Sequence, residues 1–347
     1  MRRTKIICTI GPASRSRDTL AELIAAGMDI ARINMSHGLY EEHSETIELV
    51  RELAALAGRR VEILGDLQGP KIRLGEISGS PSLQTGQEFV LSVEPRSGDA
   101  GGASVDYPGF CQDVPPGGKI YINDGLIELK VLAVNSKEVR TEVISGGELK
   151  SHKGVNVPGA KLNLPAFTAK DQRDLVFLTT AGVDYIACSF IRKAENILTI
   201  KKAIREAGKD TPLIAKLETG EGVSNSRQIM EEAAGIMIAR GDMAVELPFE
   251  EIPLVQQILL DLGREMNKPV IMATQMLESM LENPSPTRAE MTDVSNAVSN
   301  GAWAVMLSAE TAAGKHPVQA VNVMARLVER TEAALADGKI DFEDLDL

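Results

Sequence analysis

Residues 213–242 read LIAKLETGEGVSNSRQIMEEAAGIMIARGD, and this stretch contains one full unit of the pattern that decides the fold. The apolar run Leu213–Leu217 is followed by a polar turn, a helix-length segment and a second apolar run, Ile236–Ala239. Short runs rich in Ile and Val are typical of strands that are buried on both faces. The stretch therefore predicts a strand, a helix and a second strand.

The same unit recurs along the chain, and eight apolar runs have the length and composition of strands. They are Lys5–Ile10, Asp29–Met35, Val61–Leu67, Tyr185–Phe190, Leu213–Leu217, Ile236–Ala239, Val270–Thr274 and Ala304–Ser308. Helical periodicity separates several of them; Asp18, for example, begins a segment that ends at Gly27. Eight repeats favour a (β/α)8 TIM barrel of the α/β class over an open doubly wound sheet, although periodicity alone does not prove closure.

One long segment breaks this rhythm. From about Pro70 to Leu164 the sequence has frequent Gly and Pro and short alternating runs such as Glu88–Val93, Lys119–Ile122 and Lys130–Val134. This pattern predicts an all-β domain inserted after the third barrel strand. We therefore expect a barrel over 1–69 and 165–340 and a β-barrel insertion over 70–164, with a solvated acidic tail at 341–347.

Composition and charge exclude several classes of protein. Apolar residues make up 44% and charged residues 25% of the 347 residues, which is typical of a globular protein with a large core. The net charge of −12, without a dense Lys/Arg patch, argues against nucleic-acid and acidic-membrane partners. Three widely spaced cysteines suggest neither a disulfide framework nor a zinc site, and no signal peptide or membrane span is visible. We expect a cytoplasmic protein.

Polar side chains cluster at the predicted strand ends, where barrel enzymes carry their reactive groups. In ARINMSHG (31–38), Arg32, Asn34 and Ser36 share one strand face, and His37 begins the next turn. The other strand-end residues are Asp66, Ser189, Lys216, Glu218, Asp242, Thr274 and Ser308. Because the strands are parallel, all of these side chains are expected to face one mouth of the barrel.

The pair Lys216 and Glu218 lies two residues apart on one strand and can reach a common ligand. A simple ion pair is the alternative. Asp242, at the next strand end, adds a second carboxylate, and two carboxylates with open positions suit Mg²⁺. The turn at Gly241 offers backbone N–H groups to an anion. Arg32, Arg73 and Lys216 could neutralise a phosphate, although any single arginine could instead be a surface residue.

The motifs resemble those of the pyruvate kinase family, in the family's order from the first strand to about Glu332. They include TKIICTIGP, ARINMSHG, GDLQGPKIR, NDGLIELKV, KGVNVPG, IACSFIRK, IAKLETGEG, IMIARGDMAVELP, VIMATQMLESM, SPTRAEMTDVSNAV and VMLSAETAAGKHP. The resemblance implies transfer of phosphate from phosphoenolpyruvate to ADP, giving pyruvate and ATP, with Mg²⁺ or Mn²⁺ as cofactor.

The resemblance also implies a role for individual residues. Lys216 would stabilise the moving phosphoryl group, Glu218 and Asp242 would bind the metal, and Thr274 would lie near the proton path. The implied contacts to phosphoenolpyruvate are Arg32, Ser189, Lys216, Gly241, Asp242 and Thr274. The implied nucleotide contacts are Asn34, His37, Arg73 and Lys153, and the insertion that carries Lys153 would close as a lid. Packing remains the alternative for Thr274, helix capping for His37, and turn formation explains Asp124.

Two departures from the family pattern change what the resemblance implies. The family's K⁺ site matches Asn34, Ser36, Asp66 and the carbonyl of Leu67. Lys71, however, stands where glutamate is usual, so we expect its ammonium to replace K⁺. The sequence also ends before the family's C-terminal effector domain, so we expect that domain to be absent and a homodimer to form through barrel helices.

Two rival functions share part of this pattern. A barrel lyase or aldolase acting on pyruvate enolate would use the same metal ligands but would not need Arg73 and Lys153 for a nucleotide. A non-catalytic barrel that binds phosphoenolpyruvate as a regulatory subunit is the second rival.

Overall fold

All eight predicted barrel strands are present in the computed structural model, which describes residues 2–336. They are β1 (Lys5–Thr9), β2 (Ile30–Asn34), β3 (Glu62–Leu67), β4 (Tyr185–Cys188), β5 (Leu213–Leu217), β6 (Gly235–Ala239), β7 (Val270–Ala273) and β8 (Ala304–Leu307). They form a closed barrel in the order β1-β8-β7-β6-β5-β4-β3-β2, and all neighbouring pairs are parallel. The predicted (β/α)8 fold is confirmed.

The barrel interior is filled by apolar side chains that every strand contributes. The cluster contains Ile7, Ile30, Leu64, Ala187, Ile214, Met237, Ile271, Ala273, Ala304 and Met306. The helix Ala169–Ala181 packs closely against β3 at Gly65. A Cβ at this position would lie 2.5 Å from both methyl groups of Leu178, so a larger residue would clash with the helix. Since the strands are buried on both faces, polar groups have room mainly at the strand ends.

Helices alternate with these strands. Outside the stretch Pro70–Ala166 the helices are Arg17–Ala26, Tyr40–Leu56, Ala169–Ala181, Ala194–Glu206, Gly220–Ser224, Ser226–Glu232, Arg240–Glu246, Ile252–Met266, Arg288–Ser299, Ala309–Ala312 and Pro317–Ala336, with 3₁₀ turns at Phe249–Glu251 and Glu278–Leu281. The first helix begins one residue before the predicted Asp18, because Ser16 is its cap and accepts a hydrogen bond from Thr19 N. It ends, as predicted, at Gly27, whose φ of 119° favours glycine.

The inserted segment has its own apolar core and its own sheets. Its strands are Ser82–Leu83, Glu88–Ser92, Gly102–Ser104, Lys119–Ile122, Ile127–Val134, Glu138–Ser145, Gly147–Glu148 and Val155–Asn156. They form a six-stranded sheet and a two-stranded sheet around buried Phe89 and Phe110. The insertion is built mainly of strands, and one short helix, Phe110–Asp113, interrupts them.

The chain divides into two compact units. The barrel unit comprises the chain up to Gly69, Phe167–Arg240 and the chain from Pro253, and the inserted unit comprises Pro70–Ala166 together with Gly241–Ile252. The sequence interpretation had placed 241–252 in the barrel. Residues 337–340 of the predicted barrel and the acidic stretch 341–347 lie outside the described residues.

Two further sequence expectations concern the chain as a whole. All three cysteines, Cys8, Cys111 and Cys188, are buried free thiols. Within residues 2–336, none of the helices combines the length and the apolar character that crossing a membrane requires.

Candidate active site

Lys216 lies at the carboxyl end of β5 among oxygen atoms of three neighbouring side chains. Its Nζ is 2.6 Å from Ser189 Oγ, 3.1 Å from Glu218 Oε1 and 3.3 Å from Asp66 Oδ1. The Lys216 side chain is 12% exposed and both carboxylates are 1% exposed. Two buried carboxylates hold one ammonium group here, so the sequence-predicted pair of Lys216 and Glu218 is part of a larger charged cluster.

Asp66, at the end of β3, is the shared counter-ion of two buried cations. Its Oδ2 accepts from Arg32 Nε at 2.7 Å, while Oδ1 faces Lys216. Burial raises the pKa of Asp66, but the positive charges of Lys216 and Arg32 outweigh burial and hold this pKa below its ordinary value. The carboxylate is therefore ionised and orients both cations.

Arg32 on β2 is held from two sides. Besides its bond to Asp66, its Nη1 donates to Thr9 Oγ1 at 2.9 Å, and Thr9 Oγ1 donates to the carbonyl of Leu307 at 2.9 Å. Thr9 ends β1 and pairs with Arg32 in the sheet register. The guanidinium is thus fixed at the barrel mouth, which suits it for a phosphate or a carboxylate.

Glu218 follows β5 and is oriented through the backbone of the β4 end. Its Oε2 accepts a hydrogen bond from Phe190 N at 2.6 Å, and Phe190 itself has a left-handed φ of 55°. Ser189, its neighbour, donates from Oγ to the carbonyl of Leu67 at 2.8 Å. The end of β4 therefore connects the predicted metal ligand to the end of β3.

The two carboxylates predicted to bind a metal are oxygen donors of the kind that a hard divalent cation takes. Glu218 is an ionisable oxygen ligand in the charged cluster, and Asp242 is a second carboxylate in the inserted unit. No group of three or more His, Cys, Asp or Glu side chains suited to a metal occurs within residues 2–336. Two carboxylates, with water and substrate oxygens, are the ligands that Mg²⁺ takes in phosphoryl-transfer enzymes.

The residues predicted for a monovalent cation lie at the ends of β2 and β3. Asn34 Oδ1 accepts from Ser36 N at 3.1 Å, and the carbonyl of Leu67 accepts from Ser189. His37 lies in the turn after β2, and its carbonyl is 2.8 Å from His43 Nε2. Asn34 and Asp66 are partners in the register of β2 and β3, so these two strand ends lie side by side.

One cluster beside this edge was missed in the sequence. Lys170 Nζ donates to the carbonyl of Met35 and to Asp174 Oδ2, both at 2.6 Å, and Tyr40 OH donates to Asp174 Oδ1 at 2.7 Å. Asp174 is 1% exposed. The helical spacing of Lys170 and Asp174 could have indicated an ion pair, but nothing in the sequence points to the Met35 carbonyl.

Thr274 follows β7 in a tight turn that several side chains support. Its φ is 65° and that of Gln275 is 55°, and its Oγ1 donates to the carbonyl of Ala273 at 2.6 Å. Downstream, buried Glu310 accepts from Leu277 N at 3.2 Å and from Ser308 N at 2.7 Å. Burial raises the pKa of Glu310 despite these bonds.

The inserted unit brings its own candidate residues close together. Arg73 pairs with Gly154, and Leu74 N donates to the carbonyl of Lys153 at 2.9 Å, so the two predicted nucleotide contacts lie on adjacent segments. Lys71 lies against Gly154, where a Cβ would approach Lys71 Cε to 2.7 Å.

Lys71 faces two carboxylates of the same unit. Its Nζ is 3.4 Å from Asp242 Oδ1 and 3.6 Å from Asp124 Oδ1. Gly241 and Asp242 lie in the first turn of the helix Arg240–Glu246. Asp124 has a φ of 55° in the turn between two strands, so the predicted turn former also supplies an ion pair to Lys71.

Comparison with known proteins identifies relatives over most of this chain. The family model described as pyruvate kinase, barrel domain, matches residues 1–321. The chain is 49% identical to a pyruvate kinase of Geobacillus stearothermophilus over 338 residues, which is 96% of this chain and 58% of the relative. It is 47% identical to a pyruvate kinase of Bacillus licheniformis, covering 98% of this chain and 59% of the relative. It is 44% identical to a pyruvate kinase of Clostridium perfringens, covering 96% of this chain and 71% of the relative. The chain thus spans less than two thirds of the first two relatives.

Proposed function

The chain belongs to the pyruvate kinase family, and we propose that it transfers the phosphoryl group of phosphoenolpyruvate to ADP, giving pyruvate and ATP. The observation that carries this proposal is the ammonium group of Lys216, fixed by Asp66, Glu218 and Ser189 at a barrel strand end. Phosphoryl transfer depends on positioning and on charge stabilisation more than on covalent catalysis. A preorganised cation at the mouth meets that requirement.

The other barrel residues act on the substrate around Lys216. Arg32, held by Asp66 and Thr9, binds the anionic substrate through its remaining donors. Ser189 and the backbone at Gly241 line the substrate pocket. Glu218 and Asp242 would hold Mg²⁺, which would supply positive charge to stabilise the transferred phosphoryl group. Thr274 lies on the path of the proton that the enolate carbon accepts.

The predicted nucleotide contacts come from two parts of the chain. Asn34 and His37 belong to the β2 end, and Arg73 and Lys153 lie on adjacent segments of the inserted unit. The basic side chains would neutralise the nucleotide phosphates. A lyase or aldolase would have no need for this second set of cations.

Lys71 replaces a monovalent cation in this proposal. Its ammonium group, held by Asp242 and Asp124, supplies the single positive charge that K⁺ would otherwise bring. Turnover in K⁺-free buffer with a tetraalkylammonium salt tests this: we expect activity close to that with K⁺. Strict dependence on K⁺ would overturn the replacement and leave Asn34, Ser36, Asp66 and Leu67 as a working K⁺ site.

A coupled assay with phosphoenolpyruvate and ADP, with and without Mg²⁺, tests the main function. We expect ADP- and Mg²⁺-dependent pyruvate formation, and a loss of about 10²–10³-fold in Lys216→Met. Lys5→Met is the matched control and should retain turnover. Lys5 begins β1 and pairs with Glu62, which begins β3, so this pair lies at the end of the parallel strands opposite to Lys216. Pyruvate formation without ADP would favour the lyase. The regulatory subunit would be favoured if the wild type showed no turnover and Lys216→Met still bound phosphoenolpyruvate as the wild type does.

We also propose that the protein acts in the cytoplasm as a homodimer. Sedimentation of the purified chain tests the second statement, since a dimer and a monomer differ twofold in mass.

A further inference from the structure

Two consecutive residues after β7 adopt a backbone conformation that side-chain-bearing residues rarely take. Thr274 has a φ of 65° and Gln275 a φ of 55°. For Thr274 the conformation is especially unfavourable, because its branched Cβ crowds the following carbonyl. Such a conformation persists only where the surrounding structure holds it. The contacts that hold this turn are therefore expected to be specific.

The side chain of Arg240 makes three of these contacts. Its Nη2 donates to the carbonyl of Thr274 at 2.6 Å and reaches Met276 Sδ at 2.9 Å, and its Nε donates to the carbonyl of Ala273 at 3.3 Å. The guanidinium thus spans the turn from the last residue of β7 to Met276. Arginine is suited to this because its donors lie in one rigid plane.

Arg240 is itself held in place. Its Nη1 donates to Asp293 Oδ2 on the helix Arg288–Ser299 and lies 3.4 Å from Gln256 Oε1 on the helix Ile252–Met266. The Arg240 side chain is 10% exposed. With its donors spread over two helices and the turn, the guanidinium has little freedom to move, and neither does the turn.

We propose that Arg240 is a positioning residue that holds Thr274 and Gln275 in the left-handed conformation, with Asp293 as its anchor. This role deepens the proposed function, because Thr274 is the residue assigned to the proton path. Arg240 acts through the backbone of the turn and does not touch the substrate.

The structural part of this proposal can be tested without any activity. Glycine adopts positive φ at no steric cost, so Gln275→Gly should relieve the strain that Arg240 offsets. We expect Arg240→Met to lower the melting temperature by several degrees, and the double variant with Gln275→Gly to recover roughly half of that loss. Asn267→Gly is the matched control, since Asn267 also has a positive φ, 52°, but lies outside this set of contacts. The proposal would be overturned if Arg240→Met lowered the melting temperature by the same amount with and without Gln275→Gly.

The catalytic part is tested by separating proton transfer from substrate binding. Arg240→Lys keeps the positive charge but loses the planar donors. In this variant the rate at which pyruvate methyl protons exchange for solvent deuterium should fall about tenfold. The KM for phosphoenolpyruvate should change less than about threefold. Gln275→Gly should restore part of the exchange rate. A merely structural role would be shown if Arg240→Lys lowered the rates of proton exchange and of phosphoryl transfer equally and Gln275→Gly restored neither. A wild type that turns over no phosphoenolpyruvate would refute the proposed function, while the stability test above would still decide the role of Arg240.

Discussion

Each of the two units presents one lysine to two carboxylates, and the surroundings of the two lysines differ. In the barrel, Lys216 lies 3.1–3.3 Å from Glu218 and Asp66, whose side chains are both 1% exposed. In the inserted unit, Lys71 lies 3.4 Å from Asp242 and 3.6 Å from Asp124, whose side chains are 29% and 70% exposed. The barrel fixes its cation, whereas the inserted unit holds its cation loosely.

The difference follows from where each fold can bury charge. Charges buried at a strand end interact strongly and leave a costly unpaired partner when one is removed. Exposed partners are screened by water and contribute little. The comparison predicts that substitutions around Lys216 lower both stability and turnover. Substitutions around Lys71 should lower turnover without K⁺ and leave stability nearly unchanged.

The largest effect is expected from Asp66→Asn, because two buried cations would lose their shared carboxylate. We expect the free energy of unfolding to fall by about 3–5 kcal/mol, measured by urea denaturation near neutral pH. Glu88→Gln in the inserted unit is the matched control: its carboxylate pairs with Arg140 at 2.8 and 3.0 Å, but both side chains are about half exposed. Equal losses in both variants would contradict the contrast between the two units.

The same variant has a pH signature with a definite sign. The pKa of Asp66 is lowered in the folded protein, so its ionised form favours folding. This contribution is fully present above the unfolded pKa of about 3.9 and is lost as the pH falls through the lower folded pKa. The gap in melting temperature between the wild type and Asp66→Asn should therefore narrow below about pH 4. A gap that stays constant down to strongly acidic pH would assign the effect to packing.

A smaller effect is expected from Lys71→Met, which removes the loosely held cation. Without added K⁺ we expect turnover to fall about tenfold, since a partly exposed charge contributes on the order of 1 kcal/mol. Added K⁺ should recover most of the loss, and the melting temperature should hardly change. Lys119→Met, which breaks an exposed ion pair with Glu128 in the same unit, is the control and should show no K⁺ response. The idea fails if Lys71→Met loses activity that K⁺ does not restore.

The barrel could be predicted from the sequence because its strands are continuous apolar runs. Every observed barrel strand lies within two residues of its predicted bounds, as with Leu213–Leu217, where the two coincide. The inserted unit was harder, since short strands half-buried on one face give weaker patterns. Its sheets, and the inclusion of 241–252, depend on contacts between distant segments that no local pattern reports.

The strand-end positions of the candidate residues could be predicted from the sequence, whereas the shared role of Asp66 could not. Strand-end position is a local property, so Arg32, Lys216 and Glu218 could be found from the sequence. That Asp66 bridges Arg32 and Lys216 required the register and rotamers of three strands. Arg240 was missed for the same reason: its donors reach backbone carbonyls, which leave no trace in the sequence.

The smallest effect is expected from Asp124→Asn, which removes the more exposed partner of Lys71. An ion pair of 3.6 Å to a side chain that is 70% exposed contributes less than about 1 kcal/mol. Turnover without K⁺ should therefore stay within about twofold of the wild type, because Asp242 still faces Lys71. This result would separate the two carboxylates: Asp242 would hold Lys71, and Asp124 would serve mainly the turn, whose φ of 55° asparagine also tolerates. If instead Asp124→Asn created K⁺ dependence as strong as that of Lys71→Met, measured in the same assay, the exposed aspartate would be the principal anchor of Lys71. The inserted unit would then fix its cation as firmly as the barrel does.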